Sequence, residues 1–222
     1  MPLRDCTDAF HWLSSRHKLI DQAAGPPTTE HHEGHNKSVI PTDEVIRAIA
    51  AFEPNGDGEA AKSRDLILAL LQYSPEPLSR LTFTPGHITC TGVVLGPAAD
   101  RVLLVHHRRL NRWLLPGGHV EAHDESIVDV ARREVIEETG AQLDELVPGR
   151  LVGVDVHPIP PKGAEPLHLH HDLIFSFRSM TEESRCSPES RAVVWCGLLE
   201  FDRFQLPGSI RRAIERALLL DV

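Results

Sequence analysis

At 222 residues, with 41% hydrophobic and 25% charged side chains, the chain can bury a full core and leave room for an extension. A net charge of −9 argues against a general binder of nucleic acid or anionic membrane, while a local basic patch still suits a small anionic substrate. No apolar run approaches the roughly 18 residues of a membrane span. The opening MPLRDCTDAFHWL lacks the basic-then-apolar layout of a signal peptide, so a cytoplasmic location is expected. Cys6, Cys90, Cys186 and Cys196 show no CxxC spacing and read as buried free thiols.

In chain order, residues 1–24 read as helical, anchored by Phe10, Trp12, Leu13, Leu19 and Ile20. A breaker-rich linker follows over 25–38, and its His31, His32 and His35 read as solvated side chains rather than metal ligands. Thr42 or Asp43 caps a short helix running to about Phe52, and Asn55-Gly56-Asp57-Gly58 marks a turn. A second helix over 59–73 carries Leu66, Ile67, Leu70 and Leu71 on one stripe and ends before Pro75 and Pro77. No chemistry is evident in this section.

From Leu81 the pattern changes. Strands are expected over 87–95 and 101–107, followed by the basic loop Arg108 to Arg112 and the apolar piece Trp113 to Leu115. Pro116-Gly117-Gly118 then turns into a helix over 126–139, capped by Asp124 or Ser126 and stopped by Gly140. Further strands are expected over 150–160, 170–179 and 192–198, with a polar loop over 181–190. Pro207 opens a last helix whose apolar face is Ile210, Ala213, Ile214, Ala217 and Leu218. The fold class is therefore α/β, an α/β/α sandwich with a mixed sheet over 83–222, behind a helical N-terminal section over 1–80.

The helix over 126–139 carries the chemistry. At 100° per residue, Glu134, Glu137 and Glu138 share one arc of about 100°, together with Ile127, Val130 and Ala131. Asp129, Arg132 and Arg133 fall on the back. Three like charges on a buried stripe require a cation. Carboxylate oxygens on one rigid element suit Mg²⁺ or Mn²⁺. Arg133 lies four residues from both Asp129 and Glu137 and can pair with either.

Gly118 followed by Arg133-Glu134-Val135-x-Glu137-Glu138-x-Gly140-Ala141 resembles the box of the Nudix hydrolase superfamily. The match covers the whole signature, with one departure. The loop between Gly118 and Arg133 is one residue longer than the family's, so either Asp124 or Glu125 stands at the first acidic position. The resemblance implies hydrolysis of a diphosphate joined to another moiety, commonly a nucleoside diphosphate derivative. It also implies Glu134, Glu137 and Glu138 as metal ligands with the Gly118 carbonyl, and Arg133 orienting the glutamates. The water-activating carboxylate varies within the family: Glu137 is one candidate here, and Glu182, Glu183 and Glu189 in the later loop are the others.

Around the helix, Arg108, Arg109 and Arg112 are candidates to clamp a terminal phosphate, against the alternative of a solvated loop. At period two, His168, His170 and Asp172 share a strand face, with His157 close by. Three uses stay open for them: structural hydrogen bonds, substrate contacts, or a divalent metal. Trp113 reads as core before base-stacking platform. The expected partner is a small diphosphate substrate, with no nucleic acid and no membrane. The N-terminal helices suit either a homodimer contact or a cover over the pocket. Two competing readings are a non-catalytic ligand-binding module, against which all three acids stand, and an isomerase-type diphosphate enzyme, which would need Cys90 as a reactive thiol.

Overall fold

Strand β2 (Gly86–Leu95) is buried at every position except Thr91, as expected of a central strand covered on two sides. In the computed structural model, which describes residues 4–5 and 38–220, the elements after β1 (Arg4–Asp5) run α1 (Thr42–Ala50), α2 (Gly58–Tyr73), β2, β3 (Arg101–His107), β4 (Arg112–Leu114) and β5 (Gly117–His119). They continue with α3 (Ile127–Thr139), β6 (Arg150–Ile159), β7 (His168–Arg178), β8 (Ser190–Gly197), α4 (Phe201–Phe204) and α5 (Gly208–Leu219). The sheet order is β1-β8-β3-β2-β7-β6, with β4 joined to β3 and β5 to β2. The β2–β7 pair is parallel and the other pairs are antiparallel, so the sheet is mixed.

Alternation along β2 sorts the core into two layers. Ile88, Cys90 and Val94 join Leu173, Phe175 and Phe177 of β7 beneath Val130, Ala131 and Val135 of α3, and α1 and α2 add Val45, Ile49, Ile67 and Leu70 to that layer. On the other face Val93, Leu95 and Ile174 meet Ile210, Ala213 and Ile214 of α5. The architecture is the expected α/β/α sandwich. Asp57 ties its outer helices together. It caps α2 by accepting from the Ala60 N–H at 3.1 Å, and it receives Arg212 Nε at 2.6 Å and Arg216 Nη2 at 3.0 Å from α5. Helices α2 and α5 thus close around edge strand β6, a cover that edge strands require.

Several expectations are corrected. Arg4–Asp5 is extended and pairs with β8 rather than forming helix; the rest of the helix read over 1–24, and the histidine-bearing linker up to residue 37, lie outside the described residues. Pro41, not Thr42 or Asp43, precedes α1. Leu66 is exposed, and the buried stripe of α2 runs through Ala60, Ser63, Ile67, Leu70 and Leu71. Gly117 and Gly118 form no turn: they are strand β5, with Gly118 opposite Cys90. Cys90 and Cys196 are buried free thiols, whereas Cys186 is disulfide-bonded. Among the described residues no helix is long and apolar enough to cross a membrane.

Candidate metal and phosphate site

Helix α3 is fixed at both ends by its own sequence. The Ser126 hydroxyl accepts from the Asp129 N–H at 3.2 Å, and Gly140 ends the helix at φ 62°, a left-handed turn that favours glycine. Its acidic face lies over β5. A side chain at Gly118 would sit about where the Glu134 carboxylate is, with a Cβ only 2.5 Å from it, so the missing side chain is what admits the acid.

The three glutamates differ in setting. Glu138 is 6% exposed and receives the Gly117 N–H at 3.1 Å. Burial, reinforced by the Glu134 and Glu189 charges and opposed by the Gly117 N–H, pushes its carboxyl up to about 8. Burial also raises Glu134, against the pull of Arg133. Glu137 does not share the buried arc; it stands at the exposed edge, its side chain 59% accessible.

Arg133 holds this set together, and it is not on the solvated back face. Its Nη1 donates to Glu134 Oε1 at 2.9 Å and to Glu137 Oε2 at 3.2 Å, and its Nη2 to the His119 carbonyl at 2.9 Å. Its Nε and Nη2 form a bidentate fork on Asp124 at 2.9 and 3.0 Å. Asp129 instead takes the Ser126 hydroxyl at 2.6 Å. The fork also resolves the long loop. Asp124 is buried and also accepts the Glu121 N–H at 2.7 Å, whereas Glu125 is exposed, so Asp124 stands at the first acidic position. Burial opposes ionisation of Asp124, but the Arg133 and Glu121 bonds outweigh it and hold the carboxyl below its usual value.

Opposite α3, the same sheet carries a cluster of histidines. Parallel register places His87 of β2 beside His170 of β7, and Thr89 beside Asp172. One ring nitrogen each from His87, His168 and His170 lies within 4.8 Å of the others. The His119 ring stands 5.0 Å from that of His87 and 5.2 Å from that of His170. Asp172 shares the strand face, as period two requires, yet it is not a member of this trio. It is buried and accepts the Thr89 and Thr91 hydroxyls at 3.0 and 2.8 Å. His157 does lie beside His170, at 5.8 Å between rings, and bonds Asp155 at 2.9 Å. His87 and His119 were not legible from the sequence: one opens an apolar strand, the other follows two glycines read as a turn.

The basic loop divides. Arg108 donates to the Pro188 and Ser190 carbonyls at 3.1 and 3.0 Å, which braces the start of β8. Arg109 reaches Glu165 at 3.3 Å and the Pro160 carbonyl at 2.9 Å and lines the histidine pocket, while Arg112 is exposed on β4. Of the later acids, Glu182 pairs with Arg101 at 3.3 Å, whereas the charge of Glu189 acts on both Glu134 and Glu138. Trp113 packs edge-on against Phe204 at 5.1 Å in the α5 layer, as core. Cys90 is fully buried and its thiol is pushed up by burial, which disfavours the thiolate that isomerase-type chemistry would need.

Oxygen donors alone, one of them the buried Glu138 carboxyl, fit a hard divalent ion better than a transition metal. The NUDIX domain model matches residues 86–217. An m7GpppN-mRNA hydrolase NUDT17 of Danio rerio is 41% identical over 100 residues, covering 42% of this chain and 33% of that protein. Its namesake from Xenopus laevis is 32% identical over 162 residues, covering 65% of this chain and 53% of that protein. The chain thus spans about half or less of these relatives' length. Among solved structures, the NUDIX domain of Shewanella oneidensis NrtR complexed with ADP ribose aligns at 19% identity and TM-score 0.46, over 61% of this chain and 88% of that one.

Proposed function

The chain belongs to the NUDIX domain family, and from that premise we propose that it hydrolyses a diphosphate bond in a nucleotide-type substrate, using Mg²⁺ or Mn²⁺ held by Glu134, Glu137, Glu138 and the Gly118 carbonyl. The observation that carries this reading is the convergence of Glu134 and Glu137 on one nitrogen of Arg133, with buried Glu138 alongside. A bound divalent ion would supply polarisation of the phosphoryl oxygens and a more acidic water. The chain's own share is positional. Arg133 fixes two carboxylates, Asp124 fixes Arg133, and the Gly117 N–H orients Glu138.

Glu189 is proposed as the group that takes the proton from water, because among the loop acids it is the one whose charge reaches Glu134 and Glu138. Glu189→Gln should lower kcat by about 10²–10⁴-fold with little change in metal affinity, and a variant with unaltered kcat moves the role to Glu137. Arg109 is proposed to meet the substrate, and Arg112 to contact it from the exposed rim. Arg108 is proposed to act by bracing the loop instead. The substrate itself is open to direct test: with Mg²⁺ present, a panel of dinucleotides, nucleoside diphosphate sugars, nucleoside triphosphates and an m7GpppN-capped fragment should reveal metal-dependent release of a phosphorylated product. Tight binding without turnover anywhere in that panel would favour a ligand-sensing module.

A further inference from the structure

We propose that His87, His168 and His170 form a second metal site, nitrogen-rich and separate from the carboxylates, that takes one Zn²⁺-like transition ion. The first support is geometric. Three imidazole nitrogens from two adjacent strands and one face of the sheet lie within 4.8 Å of one another, and His87 and His168 are buried. Tetrahedral zinc with nitrogen ligands at 2.0–2.1 Å needs nitrogens about 3.4 Å apart, so the trio must draw together on binding.

The second support is the protonation pattern. His87 Nδ1 lies 2.9 Å from the Thr82 carbonyl and His168 Nδ1 lies 2.8 Å from the Pro166 carbonyl. A carbonyl only accepts, so both Nδ1 atoms carry the proton and both Nε2 atoms are lone pairs. The Nε2 of His87 is buried with no hydrogen-bond partner. Two lone pairs cannot satisfy each other. A neutral His170 has a single N–H to offer. At least one buried acceptor is therefore left over, at a cost that a metal ion removes. A backbone carbonyl behind the His87 and His168 rings is also the arrangement that orients metal-bound histidines.

The site is distinct from the acid cluster. The histidines project from the sheet face opposite α3, on the side of Val93 and Ile174, and their donors are nitrogen where those of α3 are oxygen, which suits a different class of ion. Phe83 shields the site, its ring 5.1 Å from that of His168. The same pocket is lined by His119 and by a mouth that carries Arg80, Arg109 and Glu165, the last paired with Arg109 at 3.3 Å.

The test uses the full chain, stripped with chelator, held in saturating Mg²⁺ and titrated with Co²⁺. One equivalent should bind with the intense visible bands of a four-coordinate ion, and Zn²⁺ should displace it. The bands should persist in Glu138→Gln and vanish in His168→Ala/His170→Ala, with affinity down about 100-fold or more. Absence of the bands in the native chain, their survival in the histidine variant, or their loss in Glu138→Gln would overturn the proposal. Should the histidine variant not fold, X-ray absorption of the Zn²⁺-loaded native chain decides: a shell with three imidazoles supports the site, and an oxygen-only shell overturns it.

Discussion

Glu138→Gln should reduce diphosphate hydrolysis by about 10³-fold or more, the scale expected when electrostatic stabilisation of the transition state is lost, while leaving the fold intact. Glutamine keeps the shape and still accepts the Gly117 N–H that Glu138 receives at 3.1 Å. What it removes is the charge. The same variant should also stabilise the metal-free protein, because the carboxyl is costly to ionise in place: its value lies near 8 folded against 4.5 unfolded. The sign follows from proton counting. Between those values the folded chain holds a proton that the unfolded chain has released, so native stability falls as pH rises from 4.5 to 8. The gain from glutamine should therefore grow across that window and level off above it, visible as a rise in Tm of several degrees. Mg²⁺ should erase the difference by stabilising the native protein alone. Full activity in the variant, or a lower Tm at pH 8 without metal, would remove Glu138 from the site.

How far the sequence anticipates these features depends on the range of the contacts involved. Helix α3 was readable end to end because its signals are local: Ser126, the three glutamates and Gly140 sit at fixed helical spacings. The longer strands β2, β3, β6, β7 and β8 were readable from apolar runs, and so was the sandwich they build, whereas β1 and β5 were not. What escaped were relations between segments distant in sequence. His87 belongs beside His170 only because β2 and β7 pair in parallel, 83 residues apart in chain numbering, and no alternation within either strand specifies that register. Asp172 illustrates the converse. Its strand face was correct, but its bonds to Thr89 and Thr91 depend on the neighbouring strand. Gly117 and Gly118 read as a turn because glycine pairs usually are; here they let a carboxylate pack against a strand.

Arg133→Ala should be the most destabilising single change in the site, about 3–5 kcal/mol by urea unfolding, since it leaves a buried acid without its cation. Asp124 is 4% exposed, and both its oxygens are engaged by the Arg133 fork. Three further bonds are lost with it, to Glu134, Glu137 and the His119 carbonyl. Activity should fall as well, as the two carboxylates lose their common anchor. Arg133→Lys keeps the charge but not the planar fork, and should land between the native chain and alanine. The pH dependence separates burial from mere packing loss. In the native chain Asp124 is held below its usual value, so its contribution is present above the unfolded pKa and is lost as pH falls through the lower folded one. Without Arg133 the Glu121 N–H is left to oppose burial; burial, the largest influence, should then raise that carboxyl and reverse the slope, so that the variant loses stability as pH climbs from about 4 toward neutrality. Its penalty should thus be greatest near pH 7 and shrink in acid. Adding Asp124→Asn to Arg133→Ala should recover part of the loss, because the charge left stranded is gone, so the two costs add to more than the double variant shows. Strict additivity in that cycle, with a penalty flat in pH, would mean that the pair does not act as a unit and that Asp124 is not the loop's link to the helix.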